Sequence, residues 1–89
     1  MVNVGEYCFE IIENNRDAFI EEEFVNLFTD YFYDFDYIVG DYAYSKLRLK
    51  GFYDDNNKKC KEFNKFSNKD KYINDNCAYK CKYFVLKKI

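Results

Sequence analysis

A chain of 89 residues with a net charge of −2 leaves room for a single domain, residues 1–89, with a modest core. It holds ten phenylalanines, ten tyrosines and no histidine, which excludes imidazole-based triads, dyads and metal sites, and its 48% apolar content argues against disorder. No apolar run approaches the roughly 18–20 residues of a membrane span, and Met1 to Glu13 lacks a basic region and a small-residue cleavage site, so a cytoplasmic protein with reduced thiols is expected.

In chain order, the residues from Tyr7 to Glu13 are aromatic and β-branched and follow Gly5, which predicts a strand near 7–13. The polar stretch from Asn14 to Asp17 predicts a turn. Phe24, Leu27, Phe28, Tyr31, Phe32 and Phe35 then recur at three- and four-residue steps, predicting a helix near 20–33 with one apolar stripe. Glu21, Glu22 and Glu23 fall in its first turn, where the helix dipole favours negative charge, so they need no metal to explain them. Tyr37-Ile38-Val39 reads as a short buried strand closed by Gly40. From Lys46 the sequence alternates, with Leu47 and Leu49 on one side and Lys46, Arg48 and Lys50 on the other, which predicts a strand near 46–53. A turn at 54–57 leads into a lysine-rich, poorly periodic segment. Ser67 is placed to cap a second helix near 68–76, with Tyr72, Ile73 and Cys77 on its apolar side. Tyr83 to Leu86 is apolar on both faces, as a central strand requires, within a strand near 82–88. The expectation is an α+β domain of about four strands, with two helices packed on one sheet face.

Charge divides the chain. Up to Ser45 there are eleven acidic residues and one basic residue, and from Lys46 onward thirteen basic and five acidic. Such asymmetry marks either a binding face or two halves that neutralise each other. Aromatic abundance is a weaker signal. Phe, Tyr, Ile, Asn and Lys make up more than half of the chain and all have A/T-rich codons, so genome composition accounts for much of it.

Two stretches carry a resemblance. Asp36-Tyr37-Ile38-Val39-Gly40-Asp41-Tyr42, running on to Leu47-Arg48-Leu49-Lys50-Gly51-Phe52-Tyr53-Asp54-Asp55, resembles the central motif of the YutD-like family. The closing run from Cys77 to Lys88 is similar to that family's C-terminal signature, and the Phe19/Phe24 spacing at the first helix also resembles the family. Two departures stand out. Tyr42-Ala43-Tyr44-Ser45 replaces Trp-Gly-Tyr-Gly, which removes two glycines suited to a tight turn, and Lys80 stands where the family tends to carry a glycine. The resemblance implies a small cytosolic protein of the Firmicutes or mollicute kind, with no established activity.

Little in the chain points to catalysis. The hydroxyl nucleophiles besides tyrosine are Thr29, Ser45 and Ser67, the doublets Asp34/Asp36 and Asp54/Asp55 read as turn or cap residues, and no phosphate-binding glycine loop is present. No metal or cofactor is expected. Cys77 and Cys81 have a spacing that zinc pairs allow, but Cys8 and Cys60 form no second pair, and a free cysteine is commonly a small buried hydrophobe. If the chain stays extended from Tyr42 to Phe52, then Tyr42, Tyr44, Lys46, Arg48, Lys50 and Phe52 share one face. Cations beside flat rings are what single-stranded RNA binders present to phosphates and bases. The alternative is a solvated strand whose lysines deter edge pairing. The preferred reading is a non-enzymatic binding or accessory protein whose partner is RNA or an RNA-containing assembly. A protein–protein adaptor that meets a basic partner through Glu21–Glu23 and Asp34/Asp36 is the alternative, and a small thiol redox or metal-dependent enzyme using Cys77 and Cys81 is the third.

Overall fold

Five strands and two helices are built from the described residues, 1–43, 45–76 and 82–89, of a computed structural model. The chain opens with a hairpin of β1 (Val2–Val4) and β2 (Tyr7–Asn15). Gly5 begins its two-residue loop at φ 58°, a conformation open to glycine at little cost. The three-residue β1 is too short to stand out by alternation, although a Val-x-Val run before a glycine is a hairpin signal. After β2 come α1 (Glu21–Leu27), β3 (Tyr37–Ala43), β4 (Lys46–Phe52), α2 (Lys69–Asn76) and β5 (Tyr83–Lys88).

The sheet is antiparallel throughout, in the order β1-β2-β5-β3-β4. β5 occupies the centre, as its doubly apolar sequence requires, with Phe84, Val85 and Leu86 all fully buried. Its alternation divides the core. Phe84 and Leu86 join Val2, Phe9, Phe24, Phe28 and Ile38 on one face, beneath α1. Val85 joins Val39, Phe52 and Ile73 on the other, beneath α2. The helices therefore cover opposite faces of the sheet and do not share one. Each helix has a single apolar stripe, and periodicity alone cannot say which face of the sheet that stripe will meet.

The first helix is also shorter than its stripe suggests. α1 ends at Leu27, Phe28 is extended (φ −78°, ψ 107°), and a 3₁₀ turn follows at Asp30–Phe32. Phe28 there contacts Phe9 and Phe24 at 5.4 Å each and Tyr7 at 5.9 Å. Packing of the ring on β2 takes precedence over helix continuation in a run of aromatic and β-branched residues with weak helical preference. Ser67 does not cap α2. It lies within a 3₁₀ turn, Phe66–Asn68, and its backbone N–H donates to Asp55 Oδ1 at 3.1 Å.

β3 and β4 are joined by a reversal that the extended reading of 42–52 did not anticipate. Ala43 pairs with Lys46, and Ser45 takes a left-handed φ of 65°. A side chain in that conformation costs about 1–2 kcal/mol, a cost that glycine does not carry. Ser45→Gly is expected to raise stability by about 0.5–1 kcal/mol, the gain being reduced by the freer unfolded chain. A thermal melt that shows no gain or a loss would remove this account of the turn. No described helix is long and apolar enough to cross a membrane.

Candidate binding surfaces

Register decides which of the expected binding residues meet. Lys46, Arg48, Lys50 and Phe52 lie opposite Ala43, Asp41, Val39 and Tyr37, on the α2 face of the sheet. The three cations do share a face. Phe52 faces the same way but is buried, and Tyr42 does not join them. Tyr42 pairs with Leu47 and packs on the α1 side, and its hydroxyl donates to Glu23 Oε2 at 2.8 Å, with Ala18 O at 3.2 Å. Phe52 is fully buried, with Tyr72 edge-on at 5.7 Å. Tyr44 lies outside the described residues. The hairpin causes the failure, because a reversal between Ala43 and Lys46 moves Tyr42 onto the neighbouring strand, where its pleat position is that of Leu47.

The cations differ among themselves. Arg48 is tied down, with Nε 3.2 Å and Nη2 2.8 Å from the two carboxylate oxygens of Asp41, a residue only 1% exposed. Lys46 is exposed. Lys50 Nζ lies 5.7 Å from the Phe52 ring and 5.4 Å from Phe63. Phe63 is 69% exposed and borders a cleft of about 430 Å³ that Asn68, Lys71 and Tyr72 also line. Sequence reasoning missed Phe63, which sits in the lysine-rich segment where no periodicity marks a face.

Tyr42 has a testable titration. Burial, with the hydrogen bond to Glu23 and its negative charge adding to it, pushes the phenol up to about 12. An unfolded tyrosine ionises near pH 10. The native chain therefore holds this proton after the unfolded chain has released it, so the stabilisation is whole below about pH 10 and is lost as the pH rises towards 12. Tyr42→Phe is expected to flatten that part of the alkaline limb in a series of thermal melts. An unchanged slope would show that Tyr42 does not contribute to it.

A second surface is acidic. Residues 16–36 carry seven carboxylates and one cation, Arg16. Several carboxylates are engaged. Glu23 accepts from Tyr42, Asp34 pairs with Lys59, and Asp36 accepts from the Asp54 N–H at 2.8 Å and from Asn57 Nδ2 at 3.0 Å. Among the described residues no lysine or arginine pairs with Asp17, Glu21, Glu22 or Asp30, all of them exposed. Exposed Ile20, Val25, Leu27 and Tyr31 lie in the same layer. Of the carboxylates expected to serve an adaptor, Glu21 and Glu22 have no side-chain partner among the described residues.

The thiols offer less. Cys8 is half-buried and its Sγ donates to Asn3 Oδ1 at 2.8 Å, and Cys60 is likewise a free thiol. Cys77 and Cys81, on which the redox and zinc readings turned, lie outside the described residues.

A family model described as "Putative antitoxin YutD-like" matches residues 3–87. The chain belongs to the YutD-like family. Its sequence is 48% identical over 89 residues to the "Putative antitoxin YutD" of Bacillus subtilis (strain 168), with 100% of this chain and 98% of that protein covered. The solution NMR structure of protein yutD from B. subtilis superposes with a TM-score of 0.83 at 45% identity, covering 100% of this chain and 81% of that one. The α+β class and the family resemblance both hold. The YutD-like relatives carry the name of an antitoxin and not that of an enzyme.

Proposed function

We propose that this YutD-like chain is a non-enzymatic binding protein that engages a basic protein partner through the acidic layer around α1. The observation that carries the reading is the set of exposed carboxylates at Asp17, Glu21, Glu22 and Asp30 that pair with no cation among the described residues, in the same layer as exposed Ile20, Val25 and Tyr31. Apolar groups supply contact area, and surrounding charge sets orientation and partner choice. The name borne by the B. subtilis relative, that of an antitoxin, also supports a role in binding. The RNA reading keeps three cations on one face but loses Tyr42 and Phe52 as stacking rings, so its support falls to Lys46, Lys50 and the exposed Phe63.

Affinity capture from a lysate of the source organism, with and without ribonuclease, tests this. The wild type is compared with Glu21→Lys/Glu22→Lys and with Lys46→Glu/Lys50→Glu, each shown to be folded by its melt. The expected result is a protein that survives the nuclease and salt-sensitively follows the acidic layer, at least roughly tenfold weaker with the first variant and unchanged with the second. If the captured material disappears with nuclease and depends on Lys46 and Lys50, RNA is the partner and the acidic-layer reading falls.

A further inference from the structure

The outer edge of β4 is open, and its hydrogen-bonding direction follows from the bonds at its end. The Tyr53 N–H donates to Asn64 O at 2.8 Å and the Phe66 N–H donates to Tyr53 O at 3.0 Å, through a short parallel bridge on the side away from β3. Phe52 O instead accepts from the Asp36 N–H at 3.0 Å, on the β3 side. Backbone polar groups alternate in direction along a strand. Those of Leu49 and Leu47 therefore point the way Tyr53 points, out past the last strand of the sheet. The 64–66 segment occupies the edge only at Tyr53, and no described strand lies beyond Leu47 and Leu49.

Three further features say what would fit there. Lys46, Arg48 and Lys50 line one face of this edge, and Leu47 and Leu49 line the other. A cleft of about 350 Å³ opens between α1 and the start of β4, lined by Leu27, Leu47, Lys46 and Glu23 among others. A second copy of β4 is a poor occupant, because its cations would stand directly opposite these. RNA has no use for a row of strand N–H and C=O groups.

We propose that the β4 edge accepts an extended acidic segment of a partner protein as a sixth strand. Its carboxylates face Lys46 and Lys50, and its alternate apolar side chains extend the Leu47/Leu49 row towards the cleft beside Leu27. Backbone pairing gives affinity and the alternating side chains give selectivity, as in other strand-addition sites. The lysines that deter indiscriminate pairing become the selective element for an acidic strand. This surface involves none of the carboxylates of the acidic layer used in the preceding proposal, so the two stand or fall separately.

The probe is an eight-residue peptide of alternating valine and glutamate, added to the intact ¹⁵N-labelled chain. Slowed amide exchange at Leu47 and Leu49 is expected, together with an affinity at least roughly tenfold above that of the valine–lysine counterpart. Lys46→Glu/Lys50→Glu should remove that preference. Leu49→Pro should abolish binding without unfolding the sheet, since the lost N–H points outward. Should that variant fail to fold, the peptide N-methylated at alternate residues makes the same test and is expected not to bind. Equal binding by the methylated or the lysine peptide, or unchanged exchange at Leu47 and Leu49, overturns the proposal. So does protection of this edge by a short single-stranded RNA in place of the peptide.

Discussion

Arg48→Ala is expected to destabilise the chain by about 3–5 kcal/mol, the cost of taking from a buried carboxylate the guanidinium that holds both its oxygens. Asp41 is 1% exposed and holds Arg48 through both carboxylate oxygens, at 3.2 and 2.8 Å. The Arg48 side chain is 42% exposed, which places the loss at the lower end of that range. The pair is asymmetric for the same reason. Asp41→Asn leaves a neutral amide inside and a guanidinium that can turn to water, so its cost should be smaller. Arg48→Lys should recover only part of the loss, because an ammonium cannot match the two-oxygen fork. For a domain of this size about 3 kcal/mol corresponds to a fall in Tm of roughly 12–24 °C. A fall of only a few degrees, or a larger loss for Asp41→Asn than for Arg48→Ala, would show that the buried charge is not what the arginine serves. It follows that Arg48 is a poor probe of ligand binding and that Lys46 and Lys50 are clean ones.

Gly40→Ala should cost about 3 kcal/mol or more, through overpacking. A Cβ on Gly40 would lie 2.1 Å from Cζ of Phe84, a fully buried ring held edge-on by Phe19 at 5.0 Å and Phe24 at 6.3 Å. Neither the ring nor the strand beneath it has room to give. Gly51 is a second close approach. Its added Cβ would lie equally close to Phe35, a ring at the rim of the core, 9% exposed. The contact there is with the root of the ring, Cδ2 at 2.1 Å and Cγ at 2.3 Å, and Tyr53 lies against its far side at 4.8 Å, so Gly51→Ala should also cost about 1–3 kcal/mol. Pairing Gly40→Ala with Phe84→Leu tests the mechanism. If the ring is the obstacle, the double variant loses less than the sum of the single losses, because contacting sites couple. Additive losses, measured by denaturant titration, would assign the cost to the backbone.

How much of this was legible differs from element to element. The doubly apolar run from Tyr83 to Leu86 announced a central strand, and β5 is one. The alternation from Lys46 to Lys50 announced which side chains share a face, and β4 obeys it. In both cases the signal is a period of two, which the pleat imposes whatever surrounds the strand. The β3–β4 reversal gave no such sign, because Tyr42-Ala43-Tyr44-Ser45 contains none of the glycines or asparagines that usually make a tight turn. With the turn unseen, Tyr42 was placed beside cations that it does not meet. Phe63 was missed for the opposite reason, lying where the sequence has no period at all.

The amino-acid order by itself determined the class of fold, the family, the alternation of β4 and the central place of β5. These follow from local spacing and from motifs read along the chain. Only the tertiary structure decided that α1 and α2 cover opposite faces, that the first helix stops at Leu27, that Asp41 claims Arg48, and that the edge at Leu47 and Leu49 stays open. The placing of the helices and the end of the first one depend on contacts between residues distant in sequence, and the Asp41–Arg48 pair, seven residues apart, on the reversal between β3 and β4. A periodic pattern specifies that a side must be buried and leaves open what will bury it.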